Sequence, residues 1–259
     1  MTDDLSRIRR LELKYLLTEE QAGRVREYVR GFCDLDANSD ADLGGYVVNN
    51  LYLDTPDLRF YWDVKNRKLT RFKTRVRYYG TGPADVIWLE LKHKQSNVVW
   101  KTRRRMKADQ WPGVLEPRLA RPDVPRFIEG PPSFEEIADL YGVRPLLHVR
   151  YFREPWVSAL DHYGRVTFDR RLSFRLARGS YELTCDDDEM VGYDDPVTMN
   201  APDSLVLLEI KIERLAPAWA IRLIRRLGLE QRGFSKYCYA IDRTFEAGDI
   251  RLRQPRYAW

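Results

Sequence analysis

Residues 72–78 read Phe-Lys-Thr-Arg-Val-Arg-Tyr, and they carry the clearest structural pattern of the chain. Its side chains alternate, so that Lys73, Arg75 and Arg77 share one side while mainly apolar and aromatic side chains occupy the other. A period of two residues is typical of a β-strand, in which successive side chains point to opposite faces. The stretch therefore predicts a strand with one charged face and one apolar face.

Similar patterns continue along the chain, and helices interrupt them irregularly. Strands are predicted at residues 8–17, 47–53, 69–79, 86–94, 98–106, 146–153, 164–170, 172–177, 181–185 and 205–213. Helices are predicted at about 19–30, 58–63 and 217–227, and after Ser133, where Gly142 would end the helix. Because helices do not alternate regularly with strands, the order favours an antiparallel α+β protein over a doubly wound parallel sheet.

Composition limits the class of protein. The chain has 259 residues, of which 44% are hydrophobic, so it can build a core and is not a disordered chain. The net charge of +5 agrees with an anionic partner. Three distant cysteines predict a reduced, cytoplasmic setting. No apolar run reaches the roughly 20 residues that span a bilayer, and the acidic start is unlike a signal peptide, so we expect neither anchor nor export.

Two arrangements explain the charged strand faces. In an ordinary sandwich they would lie in water. In an inverted barrel they would line a channel beneath outer helices, which is tolerable only around solvent, carboxylates or a polyanion. Lysine usage favours the second arrangement. Only ten of the 44 basic residues are lysines, and seven of the ten fall in the charged strands or in Phe234-Ser-Lys-Tyr237. Lysine and arginine together suit phosphate oxygens.

Nine strings in order resemble the VTC domain, found in eukaryotic vacuolar transporter chaperone complexes and in standalone bacterial proteins. This domain belongs to the triphosphate tunnel metalloenzyme, or CYTH-like, superfamily. The strings run from Arg10 to Tyr15, Asn50 to Thr55, Arg75 to Gly80, Leu89 to Lys92, Val99 to Arg103, Tyr151 to Arg153, Arg165 to Asp169, Leu208 to Lys211 and Phe234 to Tyr237. Any one string is weak, but together they cover nearly the whole chain.

The resemblance implies a closed antiparallel eight-stranded β-barrel, a triphosphate tunnel, with helices packed on the outside. It implies a single domain over residues 1–259, with a core at about 7–241 and a short tail at 242–259. The implied activity is that of an ATP-dependent polyphosphate polymerase, which transfers the γ-phosphoryl group of ATP to a growing polyphosphate chain with Mn²⁺ or Mg²⁺. ATP and inorganic polyphosphate would be the partners, and nucleic acid would not.

The resemblance also implies roles for individual residues. The bases that act on phosphate in catalysis would be Lys14, Arg75, Arg77, Lys92, Lys101, Arg153, Arg165 and Lys236. Arg103 and Lys211 are added as further phosphate contacts. Glu209 would be a metal ligand, and Glu90 and Glu12 would be either further metal ligands or ion-pair partners.

Other functions remain open on the sequence alone. Tunnel triphosphatases begin with Glu-x-Glu-x-Lys, and Arg10 replaces the first glutamate here, which favours the polymerase over an inorganic or nucleoside triphosphatase. A polyphosphate-binding module without turnover is a further alternative. A nucleic-acid binder is disfavoured because glutamates interleave with the bases. The seven tryptophans are interpreted as packing between the sheet exterior and its helices.

Overall fold

A computed structural model describes residues 11–96, 98–115, 132–161, 163–201, 204–212 and 216–248. The strands in this part of the chain are β1 (Leu11–Leu17), β2 (Cys33–Leu35), β3 (Tyr46–Asp54), β4 (Thr70–Tyr79), β5 (Val86–Gln95), β6 (Val98–Lys107), β7 (Arg144–Ser158), β8 (Arg165–Leu176), β9 (Val191–Gly192) and β10 (Val206–Ile212). The α-helices are α1 (Glu19–Val29), α2 (Arg59–Lys65), α3 (Phe134–Tyr141), α4 (Pro196–Met199), α5 (Ala218–Arg226) and α6 (Lys236–Glu246).

The chain divides into two compact units. Unit 1 takes its described residues from 1–47, 151–172 and 192–234, and unit 2 takes them from 48–150, 173–191 and 235–259. Within unit 1, β10 pairs antiparallel with both β1 and β8. Within unit 2, β4 pairs antiparallel with β3 and β5, and β5 pairs antiparallel with β6. The predicted antiparallel α+β class is therefore confirmed.

In unit 1, two helices cover the apolar face of the sheet. Tyr15 of β1, Leu208 of β10 and Phe168 of β8 are buried in one cluster with side chains of α1 and α5, including Val25 and Trp219. The N-terminus of α1 is fixed as the sequence predicts, because the Thr18 side chain accepts the backbone N–H of Gln21 in a capping box. The predicted helices at 19–30 and 217–227 are confirmed.

Unit 2 repeats this arrangement with other helices. Val76 of β4 and Leu89 of β5 are buried in a cluster that includes Phe60 of α2 and Ile137 of α3. Ser133 caps α3, and the helix ends at Gly142, which has a left-handed backbone conformation. In each unit, the charged side chains lie on the strand face opposite the core and the covering helices.

Several elements differ from the prediction. The predicted strands at 164–170 and 172–177 form one strand, β8. Arg171, at the predicted boundary, adopts a positive φ of 52° but does not end the strand. Residues 181–185 are not a strand, and the backbone carbonyl groups of Tyr181 and Leu183 accept side-chain hydrogen bonds from Trp111 and Tyr78. The short strands β2 and β9 and the helices α4 and α6 were not predicted. Arg10 lies outside the described residues.

Candidate functional site

A cluster of charges lies on the polar face of unit 1. Antiparallel pairing sets Lys14 opposite Glu209 and Glu12 opposite Lys211. The Lys14 Nζ lies 3.0 Å from Glu209 Oε1 and 3.2 Å from Glu12 Oε1. The Lys211 Nζ lies 3.1 Å from Glu209 Oε2, so each oxygen of this buried carboxylate contacts an ammonium group. We call this group the carboxylate cluster.

Burial and charge act in opposite directions on Lys14. Desolvation lowers the pKa of the Lys14 ammonium, but the neighbouring carboxylates of Glu209 and Glu12 raise it by more, and the net pKa lies above its ordinary value. Lys14 therefore carries a full positive charge throughout the physiological range. A lysine that is already protonated can bind an anionic phosphate oxygen without first taking up a proton.

Arg153 on β7 extends the carboxylate cluster. Its guanidinium makes a bidentate pair with the fully buried Asp169, at 2.7 and 2.8 Å, and its Nη2 lies 3.7 Å from Glu209 Oε2. Gly45 packs against the β7 backbone here, since a Cβ at this position would lie 2.2 Å from the carbonyl oxygen of Arg153. The sequence did not single out Asp169 as a site residue, although it shares the alternating face of Arg165.

Arg165 lies apart from these ion pairs. It is exposed at the start of β8, opposite Lys211 on β10. Within the part of the chain that the structure describes, Arg165 forms no ion pair. The structure therefore brings Lys14, Arg153 and Lys211 into contact with carboxylates, while Arg165 stays at the margin of the cluster.

A second cluster lies on the polar face of unit 2, with Glu90 at its centre. Arg75 contacts the carboxylate through Nε at 2.7 Å and Nη2 at 2.5 Å. Arg103 Nε lies 3.2 Å from Glu90 Oε1, and Arg77 Nη1 lies 3.7 Å from Glu90 Oε2. Arg75 also donates to the Tyr52 hydroxyl at 3.1 Å. We call this group the arginine cluster. The sequence left Glu90 as either an ion-pair partner or a metal ligand. The arginine cluster shows the ion pairs, and the role of Glu90 as a metal ligand stays a prediction.

The arginine cluster makes a prediction about acid stability. Desolvation raises the pKa of Glu90, but Arg75 and Arg77 lower it by more, from 4.5 to about 2. Because the folded pKa lies below the unfolded one, the stabilisation is complete above about pH 4.5 and is lost as the pH falls through about 2. The shift corresponds to roughly 3 kcal/mol. We expect the free energy of unfolding to fall more steeply over this window in the wild type than in Glu90→Gln.

Chemical denaturation at a series of pH values measures this difference. Glu20→Gln, which removes an exposed carboxylate from α1, should follow the wild type. Parallel curves for Glu90→Gln and the wild type would show that Glu90 is not held ionised by its arginines.

A row of lysines lies beside the arginine cluster. Antiparallel pairing sets Lys73 of β4 opposite Lys92 of β5, and Lys92 opposite Lys101 of β6. Like charges in directly opposite positions disfavour one another, so an anion that lies over such a row is favourable. We call these three residues the lysine row. Lys92 and Lys101 were predicted from the sequence, whereas Lys73 was not assigned a role.

The start of α6 adds another cation to unit 2. Lys73 Nζ donates to the Ser235 hydroxyl at 2.8 Å. This hydroxyl also caps α6 by accepting the backbone N–H of Cys238. Lys236 follows as the first residue of the helix and is buried. The predicted site residue Lys236 is thus positioned by a helix that the sequence did not predict.

Trp88 also lies on the charged face of unit 2, opposite Arg77 on one side and Arg105 on the other. The Arg103 Cζ lies 4.6 Å from the Trp88 ring centroid. The interpretation of the tryptophans as exterior packing is therefore wrong for Trp88. Its alternation with Glu90 and Lys92 along β5 was the signal that could have found it.

Two residues of the carboxylate cluster, Glu12 and Glu209, could take part in binding a divalent cation. Among the described residues, no three His, Cys, Asp or Glu side chains form a group that could hold a metal ion by themselves. Glu12 and Glu209, however, both reach the single Nζ of Lys14, so two carboxylates converge on one position. Mg²⁺ is commonly held by one or two carboxylates together with substrate phosphates. Lys14 occupies that position in this structure, so Glu12 and Glu209 would be ligands only for an ion that arrives with a phosphate ligand.

Comparisons with known proteins give one family. The family described as the VTC domain matches residues 9–245. No curated protein sequence matches the chain. No α-helix in the described ranges has the length and apolar character to cross a membrane.

Solved structures show distant likeness. A candidate adenylate cyclase from Bacillus halodurans aligns with a TM-score of 0.48 and 12% identity, over 86% of this chain and 92% of that one. A protein from Pyrococcus horikoshii OT3 aligns with a TM-score of 0.47 and 13% identity, over 91% and 99% of the two chains. At this level, the likeness does not indicate what the chain binds.

Proposed function

The chain belongs to the VTC domain family, and on that premise we propose that it is an ATP-dependent polyphosphate polymerase. It would transfer the γ-phosphoryl group of ATP to the end of a polyphosphate chain and release ADP. The family match over residues 9–245 is the observation that carries the proposal. The charged clusters support it, because their positions coincide with the strings that resemble this family.

Unit 2 would neutralise and hold phosphate. In phosphoryl transfer the protein itself does little covalent chemistry. It positions the two substrates and neutralises the charge on the phosphoryl oxygens. The lysine row, the arginine cluster and Lys236 supply fixed positive charges for this purpose. Arg75 and Arg77 can present planar forks to phosphate oxygens, and the lysines act as point charges.

The carboxylate cluster of unit 1 would also contact phosphate and hold the metal ion. Lys14 and Arg153, both held by carboxylates, would orient phosphate oxygens. Glu209 and Glu12 would hold a divalent ion, Mn²⁺ or Mg²⁺, which when bound would offset the negative charge that builds on the phosphoryl oxygens. The acceptor is a terminal phosphate that is already ionised, so the reaction needs no side chain to remove a proton.

The closed eight-stranded barrel and its tunnel are part of this proposal. So are the single-domain organisation, the cytoplasmic location, and ATP and polyphosphate as partners. Arg165 would act as an outer phosphate contact, since it is exposed at the start of its strand.

The test follows two products at once. Purified protein is incubated with ATP and Mn²⁺ or Mg²⁺, ADP release is measured, and long-chain polyphosphate is separated on a gel. We expect ADP and polymerised phosphate in equal amounts. Release of free phosphate without polyphosphate chains would show that the protein is a triphosphatase and not a polymerase. Polyphosphate binding without ADP release would replace it by a binding module.

A further inference from the structure

We propose that Trp88, Tyr79 and Arg103 form a subsite that stacks the base of the donor nucleotide, and we call this group the aromatic corner. The inference rests on the proposed function and deepens it, because it explains how the chain would distinguish a nucleoside triphosphate from inorganic polyphosphate. All three residues belong to unit 2 and lie on its charged face.

Direct contacts hold the three side chains of the aromatic corner in place. The Tyr79 and Trp88 rings meet edge to face, with centroids 5.2 Å apart and planes at 77°. Arg103 lies over the Trp88 ring with its Cζ 4.6 Å from the centroid. Its Nη2 donates to the Tyr79 hydroxyl at 3.2 Å, and its Nε contacts Glu90 at 3.2 Å. Two polar partners and one ring therefore fix the plane of the guanidinium.

This geometry leaves a stacking surface. The Arg103 side chain is 47% exposed although three groups hold it. Nucleobases stack on aromatic rings and on arginine planes, and these contacts tolerate any base because every base has a π-face. A base lying against Arg103 and Trp88 would continue the stack already present.

The spacing along β5 suits a nucleotide. Trp88, Glu90 and Lys92 follow one another at intervals of two residues, which is about 7 Å per step in a strand. The aromatic corner thus lies about 13 Å from the lysine row along the strand. This is close to the distance between the base and the terminal phosphate of an extended nucleoside triphosphate. Beyond Lys92 the same face of β5 continues with Lys94, so the aromatic residue of this strand face lies at the end away from the lysines.

Binding without turnover tests the inference. The affinities of an adenosine β,γ-imidotriphosphate and of tripolyphosphate are measured by calorimetry for the wild type and for Trp88→Leu. We expect the nucleotide analogue to bind about tenfold more weakly to Trp88→Leu, as befits one lost stack, and tripolyphosphate to bind within about twofold of the wild type. Trp88→Phe keeps a ring and should stay close to the wild type, and it also guards against a folding defect in the leucine variant.

A matched control is available on the same sheet. Trp100 of β6 lies on the opposite face, stacked on His93, so Trp100→Leu should leave both affinities unchanged. Equal weakening of both ligands in Trp88→Leu, or no weakening of either, would overturn the inference. If chain growth fails while the nucleotide-specific loss persists, the polymerase proposal fails and the base subsite stands. If chains grow but Trp88→Leu binds both ligands normally, only the subsite fails.

Discussion

Replacing Lys14 by alanine should reduce polyphosphate synthesis by at least about a hundredfold, a loss typical of removing one fixed group that stabilises transition-state charge. Lys14 is the cation shared by Glu12 and Glu209, at 3.2 and 3.0 Å. Without it, two carboxylates would face the phosphoryl oxygens and repel them. The rate of chain growth at saturating ATP measures the effect.

Folding has to be separated from chemistry in this variant. Removing one partner of a partly buried ion pair can cost several kcal/mol of stability, so thermal unfolding is recorded alongside activity. Lys14→Arg retains the charge and should fold while recovering only part of the rate, because a planar fork does not replace a point charge. Arg24→Ala removes an exposed positive charge from α1 and should behave as the wild type. Near-normal chain growth by folded Lys14→Ala would refute the role.

Glu209→Gln should separate metal dependence from phosphate affinity. The carboxylate contacts Lys14 and Lys211 and lies 3.7 Å from Arg153. Its loss would remove a ligand for the divalent ion and leave the cations less neutralised. We therefore expect turnover to fall by at least about a hundredfold, as for the loss of an electrostatic catalytic group, while tripolyphosphate binds more tightly in the absence of metal.

Two measurements decide this prediction. Turnover is titrated with Mn²⁺ in the wild type and the variant, and tripolyphosphate binding is measured with a chelator present. Glu27→Gln removes an exposed carboxylate from α1 and should change neither. Unchanged metal dependence in Glu209→Gln would contradict its role as a metal ligand. Weaker metal-free binding would show instead that Glu209 positions Lys14 and Lys211 for phosphate.

The charged faces were predictable from the sequence because alternation is a local property. Lys14 and Glu12 share a face by spacing alone, and the helix caps at Thr18 and Ser133 have a recognisable pattern. The opposition of Lys14 and Glu209 was not predictable in this way, since it depends on the pairing of β1 with β10, which lie almost 200 residues apart in the chain.

Other misses have local physical causes. The start of α6 was missed because Cys238 stands where a capping box would have glutamate or glutamine. A buried stripe at helical spacing could have revealed the helix, and it consists of Tyr237, Ala240, Ile241 and Thr244. The boundary between the two strands predicted at 164–170 and 172–177 falls at Arg171, which adopts a left-handed conformation inside the continuous strand β8. Trp88 was assigned by residue type, although its spacing already placed it among the charges.

The two charged faces differ in their balance of charge, and this difference bears on how ionic strength would act. In unit 1, Glu12, Glu209 and Asp169 offset most of the positive charge of Lys14, Lys211 and Arg153. Among the described residues of unit 2, Arg75, Arg77 and Arg103 share the single carboxylate of Glu90, and the lysine row lies beside them.

An excess of one sign of charge draws in a polyanion over distance, and dissolved salt screens that attraction within about 8–10 Å. Capture through the exposed parts of unit 2 would therefore weaken as salt rises, while the short, balanced contacts around Glu209 would change little. Added salt would raise the KM for ATP well before it lowered kcat. Electrostatic attraction and the chemical step would then respond differently to salt, because they depend on different sets of charges.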